Sequence, residues 1–220
     1  MKPSHETQNS VYLSIDTSYQ RGVVVLFDES QIYFSHVSEQ KLTHSTALPE
    51  VIQKALDALK PSMVLAGLGV GLGPGSFVGI RIALATTLGF AFGRGLPIMG
   101  FCSHQAIAYS WPDLPGGHIF MKAAGLLGYF STFSHGGTLE LSDIAVIAKD
   151  DMAAADQMPI LSDFGDSPLT VPCLGPEPEG VRQAFLAKLR LGGLVDESLS
   201  IKPNYVKDPS VTPPKPFAPA

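Results

Sequence analysis

The pattern of apolar and polar positions changes character several times along the chain. Val11–Asp16 (VYLSID), Arg21–Phe27 (RGVVVLF) and Gln31–His36 are short runs rich in β-branched and apolar residues. Turn-forming segments, Thr17–Gln20 and Asp28–Ser30, separate them, so the three predict an antiparallel meander. Ala47, Leu48, Val51, Ile52, Ala55, Leu56 and Leu59 then recur at helical spacing as far as Lys60 and Pro61, which predicts an amphipathic helix. Met63–Val70 and Ile98–Phe101 predict strands, and Ser103–Ser110 a short helix. The order β-β-β-α-β-α-β-α predicts a mixed sheet with helices on its faces.

The centre of this pattern is the stretch 67–95, GLGVGLGPGSFVGIRIALATTLGFAFGRG. Gly71, Gly73, Pro74 and Gly75 predict a tight loop, because glycine accepts positive φ and proline fixes φ. Ser76 is an N-cap candidate. A helix is expected from about Phe77 to Phe92, with Gly93 and Gly95 just beyond it as stop signals. Phe77, Ile80, Leu84, Leu88 and Ala91 make a bulky stripe. Gly79, Ala83, Thr86 and Phe90 form a second line, beside Ile82, Ala85, Gly89 and Gly93. Arg81 is the only charge inside. A helix with no polar face is expected to be covered on both sides: by its own domain throughout, or by a second chain on the small-residue side. The helix is short for a membrane span and carries Arg81, so a buried helix is the expectation.

Beyond Trp111–Gly117 (WPDLPGG), a run of breakers and a plausible boundary, the pattern weakens. His118–Ala123 and Leu127–Phe133 are expected to pair through Ala124–Leu126. Leu141–Ala148 is ambiguous between helix and strand. Ile160–Asp163 and Val171–Leu174 predict short strands, and Glu179–Leu191 a helix with Val181, Phe185, Leu186 and Leu189 on one face. The closing VTPPKPFAPA is expected to be a disordered tail.

Composition adds boundaries. With 45% hydrophobic and 16% charged residues over 220 positions, the chain is globular. The polar N-terminus shows no signal core. Two isolated cysteines, Cys102 and Cys173, fit a reducing cytoplasm. A net charge of −5 argues against broad nucleic-acid binding, although basic residues outnumber acidic ones six to three over 181–220.

Candidate chemistry is sparse. Asp16 ends the first strand and is followed by Thr17 and Ser18; a carboxylate there can hold magnesium and nucleotide phosphates or simply cap a turn. The loop at Gly73 and Gly75 lies where backbone N–H groups can hold phosphate. It lacks a closing Lys-Ser/Thr, and the strand Ile98–Phe101 ends without the acidic residue that binds a ribose. His5, His36, His44, His104, His118 and His135 include no i, i+4 metal pair. Ser76 does not sit in a nucleophile elbow. No catalytic residue and no metal ligand is assigned.

Three stretches carry a family resemblance: YLSIDTS at 12–18, HSTALPEVI at 44–52 and GLGPGSFVGIRIALATTLGFAFGRGLPIMG at 71–100. They closely resemble the bacterial TsaB family, also called YeaZ. The resemblance covers roughly residues 11–110 and resumes at IKPNYVKDP (201–209), which is similar to the family's closing P-x-Y strand. It implies the actin/sugar-kinase/Hsp70-like fold with two α/β lobes: a first lobe at 11–112, a reduced and divergent second lobe at 113–209, then a Pro-rich tail at 210–220. It further implies a non-catalytic subunit of the machine that forms N6-threonylcarbamoyladenosine in tRNA. The partners implied are a TsaD-type catalytic subunit, a TsaE-type ATPase, tRNA indirectly, and a second copy as a homodimer, with no membrane. No intrinsic cofactor is implied, and ATP and magnesium would enter only with the complex. The resemblance places Gly79, Ile82, Ala83, Thr86 and Phe90 at the inter-subunit contact. The family's Asp-Ala-Arg turn and Glu-Val-Tyr strand are absent: the chain reads Lys122-Ala123-Ala124 and then Gly125-Leu126-Leu127-Gly128-Tyr129. The alternative is a nucleotide-dependent small-molecule kinase or ATPase on the same fold, built on Asp16, Gly73 and Gly75.

Overall fold

Apolar runs at the start of the chain assemble into a five-stranded sheet in the computed structural model, which describes residues 9–38, 47–136, 138–154, 158–164 and 168–206. The strands are β1 (Asn9–Asp16), β2 (Val23–Phe27), β3 (Ile32–Val37), β4 (Met63–Gly71) and β5 (Ile98–Phe101). They lie in the order β3-β2-β1-β4-β5. β1, β2 and β3 form the antiparallel meander, while β4 lies parallel to β1 and β5 parallel to β4.

Both faces of this sheet are covered, which is why β2 is buried at every position rather than alternating. On one face, Val11, Leu13 and Ile15 of β1 and Val24 and Leu26 of β2 pack with α1 (Ala47–Asp57) and α2 (Phe77–Arg94). On the other, Tyr12, Val23, Val25 and Phe27 pack with α3 (Ser103–Tyr109) and α4 (Pro178–Gly192). The α4 face predicted from the sequence is the one that meets the sheet, through Val181, Phe185 and Leu186. Arg182 pins it to the β2–β3 turn, donating from Nε to the Asp28 carbonyl at 3.0 Å and from Nη2 to the Glu29 carbonyl, while its Nη1 pairs with Glu179 of α4 itself at 2.6 Å.

The second sheet begins with β6 (Gly116–Ala124) and β7 (Leu127–His135), a hairpin turning at Gly125, whose φ is 57°. The ambiguous stretch 141–148 resolves into two short strands, β8 (Leu139–Leu141) and β9 (Ala145–Ala148), both paired with β7. β10 (Ile160–Ser162) and β11 (Thr170–Pro172) complete the order β11-β10-β6-β7-β8. Ile119, Met121, Phe133 and Leu161 pack against Ile107 and Ala108 of α3. Thus α3 is shared between the two sheets.

Residues 201–206 form no strand. Instead of the closing strand that the resemblance implied, they cross the first sheet's end as an extended segment, with Asn204 N–H donating to the Leu72 carbonyl at 2.7 Å. Positions 207–209, the tail at 210–220, and the expected helix start at His44 and Ser45 lie outside the described residues, as does His5.

Close approach of α3 and α4 depends on Gly180: a Cβ there would collide with the Ala106 carbonyl and the Ser110 hydroxyl. Gly89 of α2 would meet nothing within 4 Å. Gly180→Ala is expected to cost about 2 kcal/mol or more, and Gly89→Ala to be neutral or stabilising by up to about 1 kcal/mol. Denaturant titration of both variants beside the parent checks this contrast.

Candidate functional site

The glycine-rich loop is held by a buried polar network centred on Asp16. β1 alternates, so Asp16 points to the α3–α4 face of the sheet, opposite Ile15. It is fully buried. Its Oδ1 accepts from the Ser18 N–H at 2.8 Å and its Oδ2 from the Ser103 hydroxyl at 2.7 Å. Ser103 Oγ also accepts from the Gly73 N–H at 3.1 Å and lies 2.9 Å from Ser18 Oγ, while the Ser103 N–H donates to the Gly73 carbonyl at 2.9 Å. Burial pushes the Asp16 carboxyl above the usual carboxylate range, opposed by the hydrogen bonds from Ser103 and Ser18.

The loop is sealed against this network. Gly71 lies directly over the Asp16 carboxylate, Gly75 against the Ser18 carbonyl and Gly79 against the Thr17 carbonyl, so that a Cβ at any of the three would collide. Gly73 and Gly75 have φ of 90° and 152°, and the Gly73–Pro74 peptide is cis. Ser76 caps α2 as expected, accepting from the Gly79 N–H at 3.2 Å, and its own N–H donates to the Ser18 carbonyl at 2.6 Å. The structure therefore brings Asp16, Gly73 and Gly75 together, but as a closed packing unit. The Asp16 oxygens face the protein's own donors, with the loop packed on top. Asp16 as an accessible magnesium or phosphate ligand, the basis of the kinase reading, does not fit this geometry. No group of three or more His, Cys, Asp or Glu side chains that could hold a metal occurs among the described residues.

A second buried contact joins the two sheets beside this network. His104 of α3 places Nδ1 2.7 Å from Ser131 Oγ on β7, and its ring stacks on Tyr19 with centroids 6.1 Å apart. Burial pushes the His104 pKa down to about 3. Arg21 pairs with Glu177 at 2.6 Å, tying the turn after β1 to the N-terminus of α4.

α2 carries the other candidate surface, and it buries two of the five residues expected at the contact. Gly79, Ile80, Ala83, Thr87 and Ala91 are buried against the sheet. Gly79 and Ala83 are therefore core positions, unavailable to a second chain; Gly79 is small because Thr17 presses on it. Ile82 and Phe90 are half-buried and pack at the edge of the core, and Thr86 is half-buried. The outward line is instead Val78, Ile82, Ala85, Gly89 and Phe92, at helical spacing. Val78 is 55% exposed and Phe92 93% exposed. A Cβ at Gly89 or Gly93 would meet nothing, so no part of the described chain covers this side. Gly93 lies within the helix, and Gly95 ends it in the left-handed conformation at φ 63°. At the N-terminal end of the line, the Arg81 guanidinium lies 3.7 Å over the Phe77 ring and its Nε donates to Tyr205 Oη at 2.8 Å. This clamps the 201–206 segment onto α2. The helix is long and apolar enough to cross a membrane by length and composition, but its buried face is an integral side of the sheet's core.

Comparisons with known proteins agree with this geometry. The family described as TsaD, tRNA N6-adenosine threonylcarbamoyltransferase, matches residues 33–115. The tRNA threonylcarbamoyladenosine biosynthesis protein TsaB of Haemophilus influenzae is 31% identical over 104 residues, covering 46% of this chain and 43% of that protein. The Escherichia coli TsaB is 29% identical over 97 residues, 44% of this chain and 42% of that protein. The matched stretch is thus less than half the length of these curated relatives. YeaZ from Pseudomonas aeruginosa superposes with a TM-score of 0.74 at 20% identity, over 89% of this chain and 99% of that one. Two sheets, the first ordered 3-2-1-4-5 with a glycine loop after its fourth strand, give the chain an actin/sugar-kinase/Hsp70-like fold, which it shares with YeaZ. The chain is thus similar to the TsaB proteins in sequence over just under half of its length, and to YeaZ in fold over 89% of it.

Two predictions follow from the site. Ala83→Glu buries an unpaired charge and is expected to cost about 3 kcal/mol or more of stability, visible as loss of the cooperative thermal transition; an intact transition refutes the face assignment. For His104, an unfolded histidine titrates near 6.5 and the folded one at about 3. Between these values the unfolded chain binds a proton that the folded chain excludes. Stability should therefore fall as pH drops below about 6.5, by up to about 1.4 kcal/mol per unit. His104→Gln should flatten the stability-versus-pH slope between about pH 6.5 and 4.5, measured by urea unfolding.

Proposed function

We propose that this chain is a non-catalytic scaffold subunit for the formation of N6-threonylcarbamoyladenosine in tRNA, docking a TsaD-type catalytic subunit on the outward face of α2. The observation that carries the reading is the apolar line of Val78, Ala85, Gly89 and Phe92, open to solvent in the isolated chain, with the half-buried Ile82 between them. Its centre is made of small residues, so a partner helix can approach to the 8–10 Å typical of packed helices. Ala85 and Gly89 add little friction of shape, while Val78 and Phe92 at the two ends supply area and register. Removal of such apolar surface from water contributes roughly 25 cal/mol per Å2. The printed names of the curated TsaB relatives support the tRNA role.

On this reading the chain contributes rigidity rather than chemistry. Asp16 is spent inside the fold, and α2 is fixed at its start by Ser76 and along its length by the sheet. A partner helix laid against α2 is therefore held at a fixed angle to the rest of its own domain. A TsaE-type ATPase, with its ATP and magnesium, joins at the level of the complex. The tRNA is contacted through the assembly. In the absence of a partner, the same face pairs with a second copy of this chain, and the assembly works in the cytoplasm.

Titration with the purified TsaD-type subunit from the same cells tests the placement. Ala85→Glu and Phe92→Glu are expected to weaken binding at least about tenfold, an energy of about 1.4 kcal/mol, while leaving the melting temperature close to that of the parent. Unchanged affinity in both variants would remove α2 as the docking face.

A further inference from the structure

A separate cavity of about 330 Å3 opens at the far side of the first sheet, lined by residues that include Leu72, Gly100, Cys102, Gln105, Lys188 and Asn204. It lies just past the carboxyl ends of the parallel strands β4 and β5: Gly71 is level with Phe101, and the Leu72 N–H donates to the Phe101 carbonyl at 2.9 Å. Open α/β sheets bind ligands in the crevice beyond such strand ends. Gly100 makes the floor, because the Leu72 side chain lies across its Cα where a Cβ would collide. The exposed Leu191 side chain of α4 extends the apolar lining to the rim.

The polar groups in this cavity select for an uncharged ligand. Lys188 Nζ donates to the Gly100 carbonyl at 2.8 Å and to Glu197 Oε1 at 2.5 Å, while Glu197 Oε2 accepts from the Gly100 N–H at 2.8 Å. Its charge is thus neutralised in place and does not draw a phosphate. Two carboxamides remain: Gln105 from the first turn of α3 and Asn204 from the return segment. Gln105 is half-buried and Asn204 exposed; neither side chain bonds to another described residue, and each presents a donor beside an acceptor. Carboxamides pair in this bidentate way with the amino and ring-nitrogen edge of adenine. The volume lies at the low end of the roughly 300–1,000 Å3 of small-molecule sites, which fits a base or nucleoside.

We propose that this cavity is a binding site for an adenine-type purine base, its ring on the Leu72–Gly100 floor and its polar edge on Gln105 and Asn204. The site is distinct from the Asp16 network and independent of what α2 binds. Its occupation needs no magnesium.

Cys102 reports occupancy from within the lining: burial raises its thiol too, but it is the more exposed of the two cysteines, and alkylation at mildly alkaline pH reads it. Cys173 is silent, since it is buried and burial pushes its thiol up to about 12. The experiment measures the rate of Cys102 alkylation by N-ethylmaleimide in the full chain, with adenosine or uridine added. Adenosine at about 10 mM should slow alkylation several-fold without magnesium, as a millimolar site would, and uridine should not. The Gln105→Ala/Asn204→Ala double variant should lose the protection. An unchanged rate with adenosine overturns the proposal, as does equal protection by uridine or full protection in the double variant. Side-chain amide NMR shifts of Gln105 and Asn204 in the parent chain give a second readout should the variant not fold: movement on adding adenosine supports the site, and fixed resonances refute it.

Discussion

A single buried carboxylate sets the geometry of the first lobe. Asp16 leaves water entirely, a change that is unfavourable for a charged group unless every acceptor position finds a donor. The donors come from distant parts of the chain: the Ser18 backbone in the next turn, and the Ser103 hydroxyl at the start of α3. Ser103 then holds Gly73 in both directions, through its hydroxyl and its N–H. One carboxylate thereby fixes the β1–β2 turn, the glycine loop and the start of α3 relative to one another. Because Ser76 hangs from the Ser18 carbonyl, the position of α2 follows from the same constraint.

The polar arrangement closes the loop on which the kinase reading was built. A phosphate-binding loop needs free N–H groups and space for the anion. Here the Gly73 and Ser76 N–H groups go to Ser103 and Ser18, and Gly75 and Gly79 press on the chain's own carbonyls rather than on a ligand. What such a lobe gains is stiffness. His104 extends that stiffness to the second sheet through Ser131, so the two sheets share a polar contact as well as α3.

Most of the first lobe was legible in the sequence, because its elements are long and their periods clear. The meander, α1, α2 with its Ser76 cap, and the α4 face all follow from local patterns. Two things did not. The short strands β8 and β9 carry too few residues for a period to show. The orientation of α2 was hidden for a different reason: Gly79 and Gly89 look alike in sequence, yet Gly79 is small because the Thr17 carbonyl presses on it and Gly89 lies in open space. A helix with small residues on two sides gives no hydrophobic contrast from which to choose a face. The sealing of Asp16 was equally hidden, since its main partner, Ser103, stands 87 residues away. Gln105 and Asn204 offered no signal at all, being ordinary polar residues whose meaning depends on a cavity that only the fold creates.

The packing of α4 has a consequence for how this protein is made. Val23, Val25 and Phe27, near the beginning of the chain, are covered by Val181, Phe185 and Leu186, near its end. At a synthesis rate of about 5–20 residues per second, one side of the early meander waits many seconds for its cover. The sheet emerges from the ribosome with a row of bare valines and a phenylalanine, and nothing encoded in the first hundred residues supplies both of its lids. The nascent chain is thus expected to need shielding until α4 has left the exit tunnel, a demand placed on the cell by topology rather than by stability.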